Sequence, residues 1–186
     1  MIKLYDLLTE ILADIPNFAT RIDAGKKLER KVIDQLQARG LNIQEPTSSE
    51  DKYDKIDGWL IDKVNNKKYA IQVKVRESGN DIIFELMTDL DRNILGRDLK
   101  GSAQLYIFAN KSGVTRMYME KDIKEKAQKL LDYIENDLNK NTSKSFWQGD
   151  KWQVRLQTDR AHGQKKLMAY FDPSLFTSHA TWNLSI

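Results

Sequence analysis

The chain has 186 residues, no cysteine and two histidines, and its 30 Lys and Arg against 27 Asp and Glu leave a net charge of +3. That length suits one well-packed domain with a small appended subdomain, and the composition excludes disulfides, thiolate metal sites and a histidine-rich metal centre, so any metal would be a hard cation on oxygen ligands. No apolar run approaches the roughly 20 residues that a membrane span needs, and the first residues, Met1–Leu8, include an acid and no small-residue cleavage site, so a cytoplasmic protein without membrane partners is expected.

Leu4, Leu7, Leu8, Ile11, Leu12 and Ile15 recur at helical spacing up to Pro16, which predicts a helix over 2–15. A second helix is predicted over 23–39, with Thr20 or Asp23 as its cap, Gly40 as its stop and Leu28, Val32, Ile33 and Leu36 as its apolar stripe. At about 100° per residue, Glu29 falls close to the centre of that stripe, while Lys27, Arg30, Lys31 and Asp34 turn away. A carboxylate on an inward face is costly unless a metal, a cation or hydrogen-bond donors stand beside it. Glu29 is therefore either a site carboxylate or one half of an inward ion pair.

A short strand over 41–44 and a polar loop over 45–52 lead to the most informative stretch. Tyr69-Ala-Ile-Gln-Val-Lys-Val-Arg76 alternates with period two, so it reads as a half-buried strand. Tyr69, Ile71, Val73 and Val75 take one face; Gln72, Lys74 and Arg76 take the other. The preceding run over 55–64 has the same character and carries Asp57, and Asn65-Asn-Lys-Lys68 between them has the composition of a hairpin turn. A two-residue loop pairs Val64 with Lys67 and sets Asp57 opposite Lys74; a four-residue loop pairs Val64 with Tyr69 and sets Asp57 opposite Arg76. In both registers Asp57, Gln72 and Lys74 share a face, and Leu60, Val64, Ile71 and Val73 share the other. A three-residue loop would put the Asp57 charge among apolar neighbours. Asp54, three residues earlier, is an alternative acid, and Glu45 or Glu50 could stand in for Glu29.

Further strands are predicted over 81–87, 104–109 and 116–120, with a short helix or turn over 89–100 and a long amphipathic helix over 121–139. The polar run 139–145 is the best linker in the chain, dividing 1–140 from a C-terminal extension, 141–186, with strands over 151–157 and 166–171. Positive charge gathers in two segments: Arg92, Arg97, Lys100, Lys111 and Arg116 against Asp98, and Lys151, Arg155, Arg160, Lys165 and Lys166 against Asp159. Such a distribution suits a polyanion lying beside an acidic site, and equally suits a solvated surface. Trp147 and Trp152 could stack on bases or pack inside; His162, in a polar loop, could contact phosphate.

Helix with an inward glutamate, short strand, Asp-led strand, then a strand bearing Gln-X-Lys: this order resembles the PD-(D/E)XK nuclease superfamily over roughly residues 21–109. The stretch Gly25–Gly40 is similar to the first helix of Holliday-junction resolvases, Ile56-Asp57-Gly58 matches the Asp motif without its proline, and Gln72-Val73-Lys74 matches the (D/E)XK motif with Gln in the acidic slot, a variant similar to some homing endonucleases. The resemblance implies an α/β fold with a mixed central sheet flanked by helices, a restriction-endonuclease-like core carrying a C-terminal α+β extension. It implies a Mg²⁺ ion, with Mn²⁺ able to substitute, on Asp57, the Gln72 side-chain oxygen, the Val73 carbonyl and Glu29. Lys74 would orient the attacking water and stabilise developing charge. The implied activity is cleavage of double-stranded DNA by a homodimer, of restriction or homing type. The alternatives are a junction resolvase and an inactive nuclease fold that only binds DNA. Candidate DNA contacts are Arg76, Arg97, Lys100, Arg160, Lys165 and Lys166.

Overall fold

The structure, a computed structural model, describes residues 18–51, 56–76, 79–110, 112–140, 146–158 and 163–185. The helix predicted over 2–15 and the candidates Asp54, Arg160 and His162 lie outside the described residues.

Helix α1 runs from Phe18 to Ala38. It begins earlier than predicted, so Thr20 and Asp23 are interior positions and not caps; no Gly or Pro occurs over 18–24 to stop the helix extending backwards. Its end is as expected. Gly40 has φ +91°, Gly40 N–H donates to the Gln37 carbonyl at 2.9 Å and Leu41 N–H to the Leu36 carbonyl at 3.1 Å. That paired closure satisfies carbonyls the helix leaves open and needs a residue that tolerates the left-handed conformation.

Six strands form the first sheet: β1 (Ile43–Gln44), β2 (Gly58–Ile61), β3 (Lys68–Arg76), β6 (Leu105–Asn110), β7 (Val114–Met119) and β11 (Ala180–Asn183), in the order β1-β2-β3-β6-β7-β11. Only the β3–β6 pair is parallel, so the sheet is mixed and the fold is α/β. A parallel neighbour requires a crossover. Here it contains β4 (Ile82–Asp89), β5 (Ile94–Leu95) and the one-turn helix α2 (Arg97–Lys100). Helix α3 (Glu120–Lys140) follows β7 and includes the first residues of the predicted linker.

A second, antiparallel sheet has the order β5-β4-β10-β9-β8, with β8 at Phe146–Gln148, β9 at Trp152–Thr158 and β10 at Lys165–Phe171. Residues beyond 145 are thus threaded through both sheets. β8 to β10 join β4 in the second, and β11 closes the edge of the first.

Two apolar clusters hold these layers. Val32, Ile33 and Leu36 of α1 pack on Ile71 and Val73 of β3 and on Leu105 and Ile107 of β6. The opposite face of the same sheet, Tyr106, Phe108 and Tyr118, meets Ile123, Ala127 and Ile134 of α3 together with Phe84, Leu86, Val154, Leu167 and Phe171 of the second sheet. Fully buried side chains such as Ile71 and Ile107 contribute about 1.5–3 kcal/mol each. The face assignment of β3 holds, but the strand is covered on both sides and not half-buried, leaving Gln72 only 7% exposed. Trp147 belongs to the second cluster, and Trp152 packs edge-on against Tyr133 at 5.7 Å, so both tryptophans serve packing. Among the described residues no helix is long and apolar enough to cross a membrane.

Candidate functional site

The β2–β3 hairpin follows neither predicted register. Ile61 pairs with Lys68, leaving 62–67 as the connection. The cause is local side-chain chemistry. Asp62 accepts from Val64 N–H and Asn65 from Lys67 N–H, each at 2.8 Å, and Asn66 sits at φ +57°. These turns take the backbone out of the ladder. Val64, expected on the apolar face, is consequently 95% exposed. The parity nevertheless survives, because the observed register differs from the expected ones by an even step.

That register brings Asp57 alongside Gln72 and not opposite Lys74 or Arg76. Asp57 N–H still donates to the Ile71 carbonyl at 2.9 Å, as a strand residue would. The next ladder donor, Val73 N–H, is met by the Asp57 carboxylate, with Oδ2 at 2.7 Å. The carboxylate therefore stands in the plane of the sheet, where a further β2 carbonyl would have been. By ladder alternation the Val73 carbonyl points the same way, past the start of β2.

This in-plane position resolves a conflict in the sequence reading. Glu29 lies on α1, over the Ile71–Val73 face, while Lys74 projects from the other face. A group at the sheet edge stands between the two, and the Asp57 charge acts on both. Burial, with the neighbouring Asp57 charge, pushes Glu29 up to about 7 against the opposing pull of Lys74 and Lys26. Burial likewise pushes Asp57 up to about 6, more than the Val73 N–H and Lys74 bring it down. Glu29 and Asp57 line one cleft of about 360 Å³ with Lys26, Glu45 and Asp51. Gln72 and Lys74 open into a second cleft of about 340 Å³ with Arg76, Glu85, Arg97 and Asp98.

Asp98, absent from the predicted set, is the partner of Lys74. It is 4% exposed, and its Oδ1 accepts from Lys74 Nζ at 2.9 Å while Oδ2 accepts from Glu85 N–H at 2.8 Å. Burial works against the Lys74 ammonium, but Asp98 outweighs it and holds the pKa above the usual lysine value. The one-turn helix that carries Asp98 is seated on β4. Gly96 N–H donates to the Leu86 carbonyl, Arg97 N–H donates to Glu85 Oε1 at 3.0 Å, and a Cβ on Gly96 would lie 1.8 Å from the Glu85 carbonyl oxygen. In sequence Asp98 read only as the one acid in a basic segment; Gly96 two residues before it was the available hint of a close backbone approach.

The remaining candidates separate. Arg76 lies 3.4 Å from Asp81 and lines the second cleft with Arg97. Lys100 is exposed at the end of α2, and Lys165 pairs with Asp91 at the rim of a different cavity. Glu45, an alternative to Glu29, is bound to Arg30, and Glu50 folds back on Thr47. Lys166 stands on the outer face of β10.

Among the described residues no group of three or more Asp, Glu or His side chains is disposed to hold a metal. A cation here would rest on two carboxylates and neutral oxygens. The donor set fits that role in one respect: Gln72 brings a neutral amide oxygen to a position only 7% exposed that opens on the second cleft. Two adjoining carboxylates with raised pKa values are likewise groups whose charge a cation would relieve.

The same shifts carry a sign for stability. Both groups bind protons more tightly folded than unfolded, so their contribution is full below the unfolded values near pH 4 and is lost as the pH rises through about 6 and about 7. Glu29→Gln should therefore stabilise the metal-free protein at pH 8 by about 1 kcal/mol after allowance for solvent screening, or roughly 2–4 °C in Tm, with the gain vanishing towards pH 4. Thermal melts of both proteins across that range in EDTA test it; a pH-independent difference would refute it. No protein-family model, curated protein sequence or solved structure matches the chain.

Proposed function

We propose that this protein is a Mg²⁺-dependent endonuclease that hydrolyses phosphodiester bonds in DNA, on a restriction-endonuclease-like core. The observation that carries the reading is the Asp57 carboxylate at the sheet edge, hydrogen-bonded to the strand of Gln72 and Lys74 and raised in pKa together with Glu29. The order helix, three antiparallel strands, crossover and parallel fourth strand supports the same reading.

A divalent cation held by Asp57, Glu29, the Gln72 side-chain oxygen and the Val73 carbonyl would supply Lewis acidity and a more acidic water. Lys74, kept charged by Asp98, stands one step along the strand from those donors. Its ammonium can orient the nucleophile and offset charge growing on the phosphate. Arg76 and Arg97 at the mouth of the same cleft are suited to flanking phosphates. Because Gln72 is neutral, Glu29 carries more of the charge balance than it would beside a second acid. Cleavage of duplex DNA by a homodimer is the favoured form, ahead of junction resolution.

The test is incubation with plasmid, four-way-junction and single-stranded DNA, with Mg²⁺ and with EDTA. Metal-dependent cutting of plasmid is expected. A second reading, an inactive nuclease fold that holds DNA, draws on the uncharged Gln72 and on the engagement of Lys74 by Asp98. Binding without cutting of any substrate would favour it.

A further inference from the structure

The second sheet has one face turned to the apolar core and one turned outward, and the outward face has a composition of its own. Across the strands it presents Ile83 and Glu85 of β4, Lys166, Met168 and Tyr170 of β10, Gln153, Arg155 and Gln157 of β9, and Phe146 and Gln148 of β8. The pairing register aligns them in rows: Glu85, Met168, Arg155 and Phe146 in one, and Ile83, Tyr170, Gln153 and Gln148 in the next. Glu85 is the single acid among these ten side chains, and it is occupied by Thr88 Oγ1 and the Arg97 N–H. Met168, Ile83 and Glu85 also line the cleft of Gln72 and Lys74, so this surface runs without a break into the candidate site.

We propose that this outward face of β4-β10-β9-β8 is the docking surface for the duplex DNA that flanks the cleft. The inference rests on the DNA reading above and adds where the substrate lies. Charge complementarity supports it, since Arg97, Arg155 and Lys166 border or occupy the face with its one acid already bonded, while Arg76 at its border is paired with Asp81. Its aromatic rings are engaged by guanidinium groups, which argues against a stacking platform for unpaired bases. Arg76 and Arg155 lie 5.5 and 5.2 Å from the centre of the Tyr170 ring, and Arg155 lies 5.8 Å from that of Phe146. Rings held in this way pre-orient the arginines. Arg155 also donates to Gln153 Oε1 at 3.0 Å and Gln157 Nε2 to the Tyr170 hydroxyl, so what this row offers a ligand is the further N–H groups of Arg155, the Gln157 amide oxygen and the exposed Gln148 amide. These groups suit phosphate oxygens and base edges.

The experiment is duplex binding by fluorescence anisotropy in EDTA, so that no cleavage enters the readout. Arg155→Glu should weaken binding at least tenfold and reduce the slope of log K against log salt by about one. Gln148→Glu, which adds charge to the same face without disturbing the arginine–ring contacts, should weaken it several-fold. Lys129→Glu, on the exposed surface of α3, should leave it unchanged. Melting curves establish that each variant is folded. Equal duplex affinity of the wild type, Arg155→Glu and Gln148→Glu would overturn the proposal, as would an equal loss in Lys129→Glu or tighter binding of single strands. A protein that binds duplex through this face but cuts nothing would retain the surface and lose the catalytic reading; one that cuts while both face variants bind normally would do the reverse.

Discussion

Lys74→Ala and Asp57→Ala should each lower Mg²⁺-dependent cleavage by about 10²–10³-fold or more, the scale on which removing one transition-state stabiliser acts. The two losses should differ in kind. Asp57 is the proposed central ligand, so its alanine variant should lose Mn²⁺ binding by calorimetry along with activity. Lys74 is proposed to touch water and phosphate, so its variant should still bind the ion. Asp57→Asn sharpens the comparison, because an amide oxygen can still accept from Val73 N–H and keep the strand edge intact while the charge is gone. Undiminished cleavage by Lys74→Ala would end the assignment.

Asp98→Ala should destabilise the protein by about 1.5–3 kcal/mol, since it leaves the partly exposed Lys74 ammonium without its partner and orphans the Glu85 N–H. Asp98→Asn should cost less, because an amide oxygen can still accept one of the two hydrogen bonds. The Lys74→Met, Asp98→Leu double variant should recover much of the loss, as apolar replacements of buried pairs often do. Chemical denaturation of the wild type, the Lys74→Met and Asp98→Leu single variants and their combination closes the cycle and gives the coupling directly. An Asp98→Ala protein as stable as the wild type would show that the pair contributes nothing to the fold.

What could be read in advance was what rests on period. The 3.6-residue repeat turned Glu29 inward on α1, and the two-residue repeat sorted Gln72 and Lys74 from Ile71 and Val73. Parity tolerates a hairpin slip by an even step, which is why Asp57 came near the right neighbours although its expected partners were wrong. The actual register was decided by Asp62 and Asn65 bonding to nearby N–H groups, a competition that alternation of polar and apolar residues does not reveal. The Lys74 partner was less accessible still. Asp98 reaches it only because Gly96 lets α2 settle on β4, and nothing local to Arg97-Asp-Leu-Lys100 announces that contact. The second sheet stayed hidden for a related reason: β4, β9 and β10 were foreseen as strands while β5 and β8 were not, and the pairing of β4 with β10 joins residues far apart in the chain.

That long-range pairing has a temporal consequence. β4 carries Glu85, which seats Asp98, and its partner strand β10 ends only at Phe171. Closing so large a loop comes late in folding, after the local helix and hairpin have formed. On the ribosome, a nascent chain that has exposed Asp57, Gln72 and Lys74 still lacks the strand against which β4 settles. The strand that seats the partner of this lysine is itself backed only after β10 has been made. Under the proposed function, the order of synthesis itself would hold back cleavage until β10 has joined β4.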